Sequence, residues 1–138
     1  MFTNAFRLIA ILLLFLASSA PAHAAEPKAA TQDEVLSGLK AFFAKTEKPN
    51  GSFQPGVDPK YEGMSDSAFS DLAPVAYAVV IHKTFGWKMP DEEKTRAFLL
   101  SRQKDDGAFV NVAGTVNPKS PAGRAYNTTM AVMALRGL

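Results

Sequence analysis

The chain has 138 residues, a formal net charge of +2 and no cysteine. That charge balance provides no basic footprint for nucleic acid, and the missing thiols exclude disulfides and thiolate metal sites. Stability must therefore come from packing, with 47% hydrophobic residues and ten phenylalanines to supply it.

Residues 1–24 read as a secretory signal. Arg7 supplies the positive start, Leu8 to Ala17 the short apolar run, and Ala22-His23-Ala24 a small-x-small cleavage pattern. The run is shorter than the ~20 residues needed to span a bilayer. The expectation is export, to the periplasm or beyond, with cleavage after Ala24. Arg7 is the only charge lost, which leaves 14 basic and 13 acidic residues. A mature chain of this length is expected to form one domain with a modest core.

Residues 25–31 make a polar, Ala-rich linker. Thr31-Gln-Asp-Glu34 matches a capping box, so a helix is expected over Gln32 to Thr46 with Val35, Leu39, Phe42 and Phe43 on one side. Lys48-Pro49-Asn50-Gly51 stops it, and Gln54 to Asp66 reads as an ordered loop. The second helix carries Leu72, Val75, Ala76, Val79 and Val80, with Tyr77, Ala78 and Ile81 making its other side apolar too. It is expected to be buried nearly all round. Pro74 has to lie in the first turn, which places the N-cap at Ser70 or Asp71. Gly86 ends this helix.

Asp91 is the expected N-cap of a third helix running to about Gln103, with Glu92 and Glu93 at the positive end of its dipole. Asp105, Asp106 and Gly107 break it, and Phe109 returns an aromatic to the interior. Gly107 is expected at positive φ, so Gly107→Val should cost more stability than Gly123→Val. A second loop covers Asn111 to Gly123. Asn127 or an earlier residue opens a fourth helix bearing Met130, Val132, Met133 and Leu135. The fold class is all-α.

The helix, stop, glycine and anchor sequence occurs twice. A shift of 56 residues lays Asn50-Gly51-Ser52-Phe53 on Asp106-Gly107-Ala108-Phe109, and Phe42-Phe43 on Phe98-Leu99. One residue further, Phe69 lies on Tyr126 and Val75 on Val132. The chain is therefore two α-hairpin repeats, about 32–86 and 90–138. Such units cannot each bury their faces alone.

Phe98-Leu99, Gln103, Gly107 and Phe109 are spaced as in the QW repeat of squalene and oxidosqualene cyclases, which the segment resembles. Lys94 fits the basic opening position; Phe109 stands where that repeat has Trp, and Glu47 replaces Gln103 in the copy ending in Gly51 and Phe53. Tyr126 to Leu135 also looks like the helix after the Gly-rich turn in protein prenyltransferase β subunits. The resemblance implies a partial α/α toroid that handles an isoprenoid or other hydrophobic ligand, as a truncated or subunit form. Phe69, Tyr77 and Tyr126 are the candidate ligand-binding residues on that basis, because aromatic faces stabilise cations.

The catalytic features of those families have no counterpart in this sequence. No Asp-x-Asp-Asp acid motif occurs, and Asp105-Asp106 occupies the turn of the repeat itself. A catalytic zinc would need about three protein ligands, and after cleavage only His82 remains as a histidine. No metal, no cofactor and no assigned catalytic residue are therefore expected. Asp66 and Asp71 could form an acid pair, but N-capping accounts for them more simply. The alternative function is a non-catalytic helical scaffold that binds lipid or a protein partner, or self-associates, through its open repeat faces. A carbohydrate-active enzyme is a third reading, on fold analogy alone.

Overall fold

A computed structural model describes residues 28–61 and 66–138. The segment read as a secretory signal, 1–24, lies outside the described residues. Residues 32–138 make one compact unit of five helices among those described: α1 Gln32–Thr46, α2 Asp66–Phe69, α3 Ala73–Thr84, α4 Glu92–Leu100 and α5 Pro121–Gly137. The fold is all-α.

α1 has the expected bounds, but its apolar stripe is covered at one end only. Phe43 and Thr46 are buried, whereas Val35 is 49% exposed. The Thr46 hydroxyl is satisfied inside the helix, donating to the carbonyl of Phe42 at 3.0 Å. The short α2 lies at the end of the expected loop.

α3 is the centre of the core. Ala73 to Ala76, Ala78, Val79 and His82 are buried, as its apolar composition predicts, while Val80 is exposed and Ile81 half-buried. Pro74 sits in the first turn. The N-cap, however, is Leu72, not Ser70 or Asp71. Ser70 acts one step earlier, its Oγ accepting from Leu72 N–H at 3.1 Å, and the Asp71 carboxylate is engaged elsewhere.

α4 begins as expected, with Asp91 Oδ1 accepting from Lys94 N–H at 3.0 Å. That bond, first among the causes, holds the Asp91 carboxyl below its usual range. The helix stops at Leu100, three residues before Gln103, because Gln103 leaves it to pair with Phe109. α5 starts earlier than the loop expectation allows. Ser120 Oγ accepts from Gly123 N–H at 3.0 Å and Pro121 occupies the first turn, so Pro121 to Gly123 are helical.

That start reverses the expected ranking of two glycines. Gly107 does have positive φ, at 83°, but a Cβ there would meet nothing. A Cβ on Gly123 would overlap the carbonyl oxygen of Asn117. Gly123→Val is therefore the more damaging change.

The internal repeat is reproduced bond for bond in the two turns. Lys48 N–H donates to Ser52 O at 2.8 Å and Lys104 N–H to Ala108 O at 2.8 Å. Gly51 N–H reaches Lys48 O at 3.0 Å, and Gly107 N–H reaches Lys104 O at 2.8 Å. Asn50 and Asp106 each turn a side-chain oxygen onto the amide two residues on. Antiparallel bridges Glu47–Phe53 and Gln103–Phe109 close the units, and both anchors are buried at 3% exposure. Gly51 and Gly107, at φ 79° and 83°, supply the left-handed step. The core joins these anchors to Phe43, Phe98 and Leu99, to the α3 aliphatics, and to Ala131 and Ala134 of α5.

Candidate binding site

The three candidate ligand residues come from three different helices: Phe69 ends α2, Tyr77 is in α3 and Tyr126 is in α5. Phe69 and Tyr126 meet edge to face, with ring centroids 6.4 Å apart. The Tyr126 hydroxyl donates to the carbonyl of Asp66 at 2.9 Å. Burial, followed by the neighbouring Tyr77 and Asp66, pushes its pKa up to about 12. Tyr126 thus ties the second repeat to the start of α2 in the first. Tyr77 alone of the three lines a hollow of about 300 Å³, beside Phe42, Phe43, Pro74 and Asp66.

The remaining aromatics are mostly structural. Phe43, Phe53, Phe98 and Phe109 are core residues. His82 is buried, its Nδ1 lies 2.7 Å from Ala78 O, and its ring packs edge-on against Phe43 and Trp87. With Nδ1 donating to that carbonyl, the imidazole belongs to the helix rather than to a ligand. Among the described residues no cluster of His, Cys, Asp or Glu could hold a metal ion.

Asp66 and Asp71 have separate employment. Arg102 binds Asp71 Oδ2 through Nε at 3.0 Å and through its terminal nitrogen at 2.9 Å, and Val112 N–H donates to Asp71 Oδ1 at 3.1 Å. This half-buried bridge spans the two repeats. Both guanidinium nitrogens converge on one carboxylate oxygen, and the other oxygen is left to the Val112 amide. Within the second repeat, Asn127 donates to Asn111 Oδ1 at 2.7 Å in the core. Neither bridge is visible as a motif, because each joins residues far apart in sequence.

An open groove of about 630 Å³ lies on α3 and α5, lined by Val80, Thr129, Val132, Met133, Lys83 and Arg136, among others. Lys83 is already paired with Glu92 at 2.6 Å. The repeat explains why this surface is apolar. Leu72 at the N-cap of α3, and Val75, Ala76 and Val79 within it, are all 0% exposed. At the shift of 57 they fall on Thr129, Val132, Met133 and Arg136 of α5, all exposed, Val132 at 45% and Met133 at 36%. The positions at which the first repeat is covered are bare on the second. Laying the two helices over each other residue by residue would have found them in the sequence.

Comparison with protein-family models, with curated proteins and with solved structures gave no match.

Proposed function

We propose that the chain is an exported α-hairpin repeat protein of the prenyltransferase and squalene-cyclase type that works as a binding module. Its uncovered repeat face takes up a further apolar surface. The observation that carries this reading is the contrast between the sealed α3 positions and their bare α5 equivalents. Covering apolar surface is worth about 25 cal/mol per Å², and a grouped patch of it on a folded chain marks an interaction site. The Gln103, Gly107 and Phe109 turn and its earlier copy support the family likeness. The purified protein, helical by circular dichroism, should take up a hydrophobic dye. Val132→Asp should reduce that uptake without loss of helicity. A folded monomer with no dye uptake overturns the reading.

A second reading is favoured by the groove itself. About 630 Å³ is within the range of small-molecule sites, and Val80, Val132 and Met133 suit an isoprenoid or other hydrophobic chain. A fluorescent farnesol analogue tests it. Val80→Asp alters the groove on α3 and leaves the bare α5 positions intact, so loss of uptake in that variant alone favours the ligand reading. Unchanged uptake in Val80→Asp removes it.

A further inference from the structure

One stacking interface already exists inside this chain, and the repeat allows it to be carried forward by one unit. The first turn packs on the second repeat: Gly51 is buried, and a Cβ on it would run into the backbone of Lys94 and Thr95 in α4. At the shift of 56, Gly51 corresponds to Gly107, and Lys94–Thr95 corresponds to Gly38–Leu39 in α1. Gly107 is exposed and a Cβ on it would meet nothing within 4 Å. Gly38 is exposed too, with the same empty surroundings.

A glycine in the middle of an exposed helix weakens that helix, and among the described residues no contact accounts for Gly38. A turn landing at that point would. The bare α5 face belongs to the same repeat as the Gly107 turn: Val132 and Met133 are exposed where Val75 and Ala76 of the first repeat are buried.

We propose that the protein assembles head to tail. The Gly107 turn and the bare α5 face of one copy stack on α1, around Gly38, of a second copy. This rests on reading the bare face as a binding surface, and it names the partner. The partner is a second copy because its α1–α3 hairpin follows the same plan as the α4–α5 hairpin that already fills the equivalent place within the chain. Two different patches meet, so the contact is heterologous. It propagates into a ring if the rotation closes, and into a filament otherwise.

Sedimentation velocity over a range of concentrations, with dye uptake measured on the same samples, tests it. The wild type should sediment faster as concentration rises. Gly38→Glu blocks one patch and strengthens the helix that carries it; Val132→Asp blocks the other. Each variant should remain helical and associate at least about tenfold more weakly. Mixed together, the two should form a one-to-one dimer, because each retains the patch that the other has lost. A monomeric wild type that takes up dye overturns the assembly and leaves the binding surface standing. A monomeric wild type without dye uptake overturns both. Association abolished by Val132→Asp, untouched by Gly38→Glu and not restored on mixing would mean that α5 faces pair with each other, which also overturns the head-to-tail contact.

Discussion

The two turns share one backbone and differ in what lies above them. Turn one is clamped: Gly51 is buried against α4, and no side chain fits there. Turn two has the same φ, the same two short backbone bonds and the same buried anchor, but Gly107 faces open space. One glycine is required twice, for its dihedral and for close approach; the other is required once. The comparison teaches that a repeat's local geometry is written in each copy, whereas its packing load depends on the neighbour.

The largest effects should ignore that difference. Phe53 and Phe109 are equally buried, so Phe53→Ala and Phe109→Ala should each cost about 3–5 kcal/mol. Urea unfolding of the two variants should give midpoints that fall together. A wide gap between them would mean that the turns are not equivalent units.

The glycines should then separate the copies. Gly51→Ala adds a backbone overlap to left-handed strain and should cost on the order of 3 kcal/mol, at the upper end for overpacking. Gly107→Ala carries the strain alone, about 1 kcal/mol. The same unfolding experiment measures both, and equal losses would remove the stacking of turn one on α4.

Smaller still is the cap at the start of the second repeat. Asp91→Ala removes the acceptor for Lys94 N–H and should lower the unfolding midpoint at neutral pH by less than Gly51→Ala does. The folded Asp91 carboxyl is held below its ordinary value, so its contribution is present above that value and fades as pH falls through the folded one. Acid titration of wild type against Asp91→Ala should show the two curves converging at low pH.

The smallest effect appears only in alkali. Tyr126 is raised from 10.0 to about 12 in the folded chain, so folding favours the neutral phenol. Its contribution is intact below pH 10 and is lost as the pH rises toward 12. Tyr126→Phe should flatten this part of the stability profile in chemical unfolding measured between those pH values. An unchanged alkaline slope would place the tie between Tyr126 and Asp66 outside the folded state in solution.

Much of this was legible in the residues. The bounds of α1, the Asp91 cap and the first-turn position of Pro74 follow from capping and proline chemistry, which act within a few residues. The repeat was visible as well, because Gly51 and Phe53 stand at fixed distance from Gly107 and Phe109. The candidate ligand residues were only partly legible. Phe69 and Tyr126 do meet, yet they meet each other, and the Tyr126 hydroxyl is consumed by a carbonyl sixty residues away.

The sequence by itself determined the all-α class, the doubled turn unit and the apolar α3, since each depends on short-range spacing and on backbone dihedrals that glycine and proline set locally. Tertiary structure alone decided the rest. It ended α4 early by drawing Gln103 into a bridge with Phe109, removed Asp71 from capping by pairing it with Arg102, and made Gly123 rather than Gly107 the glycine without room for a side chain. It also left Val132 bare while sealing Val75. The physical reason is that burial, ion pairing and steric clearance belong to pairs of surfaces, and a repeat with one neighbour has only one of its surfaces covered.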